Sequence, residues 1–346
     1  MSVIGLDSVH GGADALGVPM HDFSTNANAC GPCPVALAMV RDADPTHYPD
    51  PAATHLRTAL AALHQVDPRR VLLLASASEG IQRLTAWAAQ SAGASVWLPP
   101  HHYGDCARAA LAWRLPRAAR AEDARLIWAC EPSTPLGQAD EGLAQRVHGL
   151  RDGQTLVLDR AYAPLRLQGE SSLAASVLDR IWQLWSPNKA LGMTGVRGAY
   201  AIAPTQSGDA LGALHALAPS WPLGAHAEAM LRAWSLPEVQ AWVHGCADSL
   251  RGWKQRQQAV CESLGWQVLP SEANYFVARL PGEQPTRRLD ALRRHHGVKL
   301  RDCASFGLPG HVRLGVRAPA SQDALLAAWN HSHEGDNAPA PETRSP

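Results

Sequence analysis

Short apolar runs alternate with helix-length segments from about residue 51 onward, and this alternation predicts an α/β chain built on a mostly parallel sheet. The spacing predicts a helix over Ala53–His64, a buried strand over Val71–Leu74 and a helix over Glu79–Gln90. On that last helix Ile81, Leu84 and either Trp87 or Ala88 share one face. Further apolar runs at Ser95–Leu98, Leu126–Ala129, Thr155–Leu158, Ile181–Trp185 and Gly198–Ile202 read as strands covered on both faces. A long helical stretch, Leu223–Leu264, breaks near Pro237. It leads to Trp266–Val268, Asn274–Arg279, a helix near Arg287–His295 and Val312–Val316, the outline of a small α+β unit.

The flanks read differently. The first fifty residues carry Gly11-Gly12, Pro19, Gly31-Pro32, Pro34, Pro45 and Pro49, which leaves room for one helix between Val35 and Arg41. They are expected to form an arm that packs across another surface. After Ser332 the chain is polar and proline-rich, and a disordered tail is expected. The expected division is an arm over 1–50, a large domain over 51–225, a small domain over 226–331 and a tail over 332–346. Two domains also suit 346 residues, because single cores stop growing near ~250 to 300 residues.

Charge narrows the partners. Lys+Arg and Asp+Glu are equal at 31 each and no basic stripe stands out, so a nucleic-acid partner is excluded and a small-molecule substrate is favoured. The first ten residues lack an export signal and no run approaches the ~18 apolar residues of a membrane span, so a cytoplasmic enzyme is expected. Seven cysteines, an odd number, read as reduced thiols. No strand leads into Cys30-Gly31-Pro32-Cys33 and Pro34 follows it, so this pair reads as a loop rather than a redox motif.

In open parallel sheets ligands sit beyond the carboxyl ends of the strands. That rule selects Ser78, Pro100–Tyr103, Glu131–Gly137, Asp159–Tyr162 and Ser186–Lys189. Lys189, with Ser186 before it and Arg197 eight residues on, combines an imine-forming amine with a cationic phosphate clamp. Asp159 and Tyr162 suit a protonated pyridine nitrogen and the ring's 3-oxygen. Ser76–Gly80 opens a helix whose N–H groups suit an anion. Each piece alone also fits an ordinary surface lysine, strand-end aspartate or serine cap; their order along successive strand ends points to pyridoxal 5'-phosphate (PLP).

Four stretches carry a family resemblance: His10-Gly11-Gly12; Asp22-Phe23-Ser24-Thr25-Asn26-Ala27-Asn28; Tyr48-Pro49-Asp50-Pro51; and Arg301-Asp302-Cys303-Ala304-Ser305-Phe306 before Val312-Arg313. On these the chain resembles the fold-type I PLP enzymes of the histidinol-phosphate aminotransferase branch, and within it the threonine-phosphate decarboxylases of cobalamin biosynthesis. The resemblance implies a homodimer with Lys189 in a Schiff base, Asp159 at the pyridine nitrogen and Tyr162 at the 3-oxygen. It implies a cofactor-binding set of Ala77, Ser78, Tyr103, Thr134, Ser186 and Arg197, joined by Tyr48 from the partner subunit. It assigns Arg313 and Asn274 to the substrate carboxylate, and His10, Asn28 and Arg301 to the substrate phosphate. The implied reaction is decarboxylation of L-threonine O-3-phosphate to (R)-1-aminopropan-2-yl phosphate, with an aminotransferase acting on a phosphorylated or aromatic amino acid as the alternative. No metal is implied.

Two positions depart from the family. Glu131-Pro132-Ser133-Thr134-Pro135-Leu136-Gly137 stands where Asn-Pro-x-Asn-Pro-Thr-Gly is usual, so the contact of an asparagine falls to Thr134. The ring-stacking aromatic falls on Cys106, with Tyr103 or His102 as alternative sources of the ring.

Overall fold

The computed structural model describes residues 10–282 and 285–336. The first half of the chain forms β1 (His21–Asp22), α1 (Pro34–Arg41), α2 (Thr54–His64), β2 (Val71–Leu74), α3 (Ala77–Ala89), β3 (Val96–Trp97), α4 (Gly104–Ala112), β4 (Leu126–Cys130), α5 (Leu143–His148), β5 (Thr155–Asp159) and α6 (Ala175–Leu178). Then come β6 (Trp182–Trp185), β7 (Ala199–Ile202), α7 (Ala210–Ala216), α8 (Ala225–Trp234), α9 (Pro237–Ser263), β8 (Gln267–Val268), β9 (Tyr275–Arg279), α10 (Pro285–His296), β10 (Val298–Lys299), β11 (Arg301–Asp302), β12 (His311–Gly315) and α11 (Pro319–Asp336).

Strands β2 to β7 make one six-stranded sheet in the order β2-β7-β6-β5-β4-β3. Neighbours from β3 to β6 are parallel, and β7 runs antiparallel to both β2 and β6. The mostly parallel α/β sheet expected from the apolar runs is present. Alternation along β2 shows why these runs are continuous: Val71 and Leu73 enter one apolar cluster with α2 and α8, while Leu72 and Leu74 enter another with α3 and α4. A second, antiparallel sheet of order β11-β12-β9-β8 forms the C-terminal unit. Its core includes Phe276, Leu314, Trp266 and Trp329.

The arm runs between the two sheets. Its β1 pairs in parallel with β10, Phe23 is fully buried in the C-terminal core, and the Asn28 and Cys33 amides donate to the carbonyls of Lys189 and Leu191. Cys33 leads into α1, which opens on Pro34, a residue suited to a first helical turn because its missing N–H would be unpaired there. All seven cysteines are free.

Helix α11 corrects the expectation for the C-terminus: it spans Pro319–Asp336, so residues 332–336, expected in a disordered tail, are helical. Residues 337–346 lie outside the described residues. The helix escapes sequence reading because it shows little apolar periodicity; Leu325, Ala328 and Trp329 are its buried apolar residues. Among the described residues no helix is long and apolar enough to cross a membrane, and no cluster of three metal-ligating side chains occurs.

Candidate active site

A cavity of about 870 Å³ opens at the carboxyl ends of β2, β5 and β6, bounded on its other side by the arm and β12. The chain has three lysines, and they differ sharply in what they touch. Lys254 donates to the Ser271 carbonyl, and Lys299 to the Gly12 carbonyl and Asp14. Lys189 lines the cavity, with Nζ donating to Ser186 Oγ at 3.2 Å and lying 5.4 Å from the centre of the Tyr162 ring. Burial lowers its pKa, the Asp159 carboxylate pulls it back up, and Arg197 adds to the lowering. The net shift is downward, in the direction that helps an amine act as a nucleophile.

Asp159 ends β5 and accepts the Ala161 N–H at 2.9 Å. Burial raises its pKa and the charge of Lys189 opposes that rise. Tyr162 follows on a tight turn with its ring edge-on to Tyr275 at 4.7 Å, and burial raises its phenol. At another wall, Ser76 caps α3 by accepting the Glu79 N–H at 3.1 Å, and Ala77 and Ser78 form the half-buried start of the helix, lining the cavity. Ser186 and Thr194 bring hydroxyls there, and Arg197 lines the same cavity without an ion pair or hydrogen bond among the described residues. A helix N-terminus, hydroxyls and an uncommitted guanidinium fit a phosphate dianion. The buried carboxylate fits a protonated ring nitrogen and the amine fits an aldehyde, so the residues present fit PLP.

The substrate side is cationic. Buried Arg313 donates to Thr134 Oγ1 at 3.3 Å and to the Ser24 carbonyl at 3.1 Å, and its Nε has no partner among the described residues. Arg301 stands opposite it in the β11–β12 register, donating to the Asp302 carbonyl at 2.6 Å and to Ser305 Oγ at 2.9 Å. The Phe306 ring lies 4.8 Å from the Arg301 guanidinium and 5.8 Å from that of Arg313. Residues His10 to Ala13 close the wall. Gly11 is required there, since a Cβ would fall 2.2 Å from the Ser24 carbonyl oxygen.

Most of the expected site residues meet in this cavity: His10, Ala77, Ser78, Tyr103, Thr134, Asp159, Tyr162, Ser186, Lys189, Arg197, Arg301 and Arg313 all line it. Three do not. Asn28 donates to the Ala190 carbonyl at 3.0 Å, and Asn274 to the Asn26 carbonyl at 3.1 Å. Both pin the arm rather than line the pocket. Tyr48 is 78% exposed and stacks on Trp221 at 4.4 Å, away from the cavity of its own chain. Of the three residues open for the ring-stacking place, Tyr103 lines the cavity, whereas Cys106 is buried on the inner face of α4 and His102 turns back to the Pro99 carbonyl.

Asn26 was not anticipated. It lines the cavity, and both atoms of its buried amide lack a hydrogen-bond partner among the described residues. The signal was present in the Asp22–Asn28 stretch, where Ser24, Asn26 and Asn28 recur at every second position; which amide turns inward depends on the arm's path. Asp105 and Arg108, which also line the cavity, were missed as well. Glu131, at the first asparagine of the motif the family usually carries, is matched by Arg166 at 2.6 Å, so that departure comes with its own counter-charge.

The aminotransferase class I and II family profile matches residues 109–329. A histidinol-phosphate aminotransferase of Ruegeria pomeroyi is 27% identical over 328 residues, 88% of this chain and 89% of the relative. Histidinol-phosphate aminotransferase 2 of Caulobacter vibrioides is 30% identical over 333 residues, 88% of this chain and 84% of the relative. Among solved structures, histidinol-phosphate aminotransferase from Sinorhizobium meliloti in complex with PLP superposes with a TM-score of 0.75 at 19% identity, covering 90% of each chain. L-threonine-O-3-phosphate decarboxylase from Porphyromonas gingivalis gives 0.77 at 20% identity, covering 90% of this chain and 99% of that one. Family profile, relatives and a cavity that fits the cofactor agree: the chain belongs to the aminotransferase class I and II family and is a fold-type I, PLP-dependent enzyme.

Proposed function

We propose that this enzyme acts at the Cα of a small phosphorylated amino acid, and that it decarboxylates L-threonine O-3-phosphate to 1-aminopropan-2-yl phosphate. The observation that carries this reading is the adjacent pair Arg301 and Arg313 on one cavity wall. Two guanidinium groups side by side suit one short molecule with a carboxylate and a phosphate.

Bound PLP supplies an electron sink for whichever bond at Cα stands perpendicular to its ring. Lys189 holds the cofactor, Asp159 pairs with its ring nitrogen and Tyr162 donates to its 3-oxygen. Ser78, Ser186 and Arg197 take its phosphate, and Tyr48 reaches it from the partner subunit of a homodimer. Arg313 grips the substrate carboxylate, while Arg301, His10 and Asn26 hold the substrate phosphate. Anchored at both ends, the substrate would present its Cα–carboxyl bond for cleavage; CO2 would leave, the bond's electron pair passing to the cofactor, and Lys189 Nζ would return a proton to Cα.

The second reading is transamination, and the names of the curated relatives reported above favour it directly. In that case Arg301 takes the phosphate of an amino donor, Arg313 takes the carboxylate of a 2-oxo acid, and Lys189 moves the Cα proton. Incubating the holoenzyme with L-threonine O-3-phosphate and no 2-oxo acid separates the two. The first reading expects stoichiometric CO2 and an amino phosphate; glutamate formed from 2-oxoglutarate and histidinol phosphate, without CO2 from phosphothreonine, would establish the second.

A further inference from the structure

His101 lies in the loop after β3, outside the residues that line the cavity, with Nδ1 2.7 Å from the carbonyl oxygen of Phe306. A carbonyl can only accept, so Nδ1 carries the proton and donates. The bond joins the large-sheet unit to the turn over Ala304–Phe306 in the C-terminal unit. The turn's other hydrogen bonds stay local: Ala304 N–H donates to Asp302, Phe306 N–H to the Cys303 carbonyl, and Leu308 N–H to the same carbonyl. This turn also shapes the cationic wall. Ser305 accepts from Arg301, and the Phe306 ring lies beneath the Arg301 guanidinium.

We infer that His101 is a positioning residue for phosphate selectivity: by tying the Phe306 carbonyl to the large-sheet unit, it sets where Arg301 stands relative to Arg313 and the cofactor site. This rests on the reading above that Arg301 meets the substrate phosphate. His101 touches neither substrate nor cofactor and acts through the turn. Its loss should therefore weaken one class of ligand and spare another.

The test uses the holoenzyme and follows the cofactor absorbance change on mixing with L-threonine O-3-phosphate or L-threonine. His101→Ala is expected to weaken the phosphorylated ligand about five- to tenfold, the scale of one lost hydrogen bond, and to leave L-threonine within about twofold. Asn offers an amide N–H near the place of Nδ1, whereas the Gln amide falls nearer that of Nε2. His101→Asn should therefore keep the preference and His101→Gln should lose it. Equal weakening of both ligands in the Ala and Gln variants, or no weakening in either, overturns the inference. Arg301→Ala run alongside separates the two levels. If it removes the phosphate preference while the His101 variants do not, the inference alone fails; if it leaves the preference intact, the assignment of Arg301 fails and takes the inference with it.

Discussion

Asp159, Tyr162, Ser186 and Lys189 were legible as cavity residues because each lies at or a few residues past the end of an apolar run, where a strand buried on both faces leaves little freedom for what comes next; Arg197 was legible only by its place eight residues on from Lys189. The asparagines were not. An amide that pins a loop and one that reaches a ligand have the same chemistry, and only the arm's path between the sheets separates Asn26 in the cavity from Asn28 on the Ala190 carbonyl. A pH dependence also belongs at this scale. His64 Nε2 lies 2.6 Å from the Tyr200 hydroxyl, which also accepts from Trp234 Nε1, so the neutral ring accepts the tyrosine proton. Burial, helped by Arg160, lowers its pKa to about 4 from 6.5. The unfolded chain therefore takes up this proton first as pH falls. The stability from neutral His64 is fully present above about pH 6.5 and is lost as pH falls through about 4. Urea midpoints should fall more between pH 7 and pH 5 for the wild type than for His64→Gln; parallel profiles would contradict this.

Element by element, the strands of the large sheet follow the apolar runs closely, and Pro237 marks the break between α8 and α9. Helix α11 and the short strands β10 and β11 were missed, since neither two-residue pairings nor a mostly polar helix leave a periodic trace. The seam between β12 and the arm was likewise invisible in sequence, yet it places Arg313. Gly315 donates its N–H to the Phe23 carbonyl at 2.8 Å, and Arg317 donates to Asp22 and Thr25. A Cβ at Gly315 would fall 2.2 Å from the Thr25 carbonyl oxygen, a backbone atom with little room to move. Gly315→Ala should cost about 1–3 kcal/mol, the range for overpacking, and should weaken binding of carboxylate ligands two residues away at Arg313. Calorimetry showing an unchanged Tm would contradict this account of the seam.

For the whole molecule, the alternation of runs carried the fold class, and the conjunction of strand-end residues carried the cofactor. The reaction was less legible: it depends on which bond at Cα the cavity holds upright, a matter of substrate posture that no single motif spells. Assembly belongs here too. Tyr48 and Trp221 form an exposed aromatic pair on a chain whose own cavity lies elsewhere, which supports a tyrosine that serves a partner subunit. On the proposal that Tyr48 reaches the cofactor phosphate of a partner subunit, Tyr48→Phe should raise the PLP dissociation constant about three- to tenfold without changing sedimentation; an unchanged constant would remove Tyr48 from the site.

The claim beneath all of these is that Lys189, of the three lysines, carries the cofactor. Reducing the PLP-loaded protein with borohydride fixes the cofactor to the lysine that holds it, and peptide mass mapping then reads the position. The account predicts a phosphopyridoxyl group on Lys189 with Lys254 and Lys299 unmodified; label on either of those two, or on none, would contradict it.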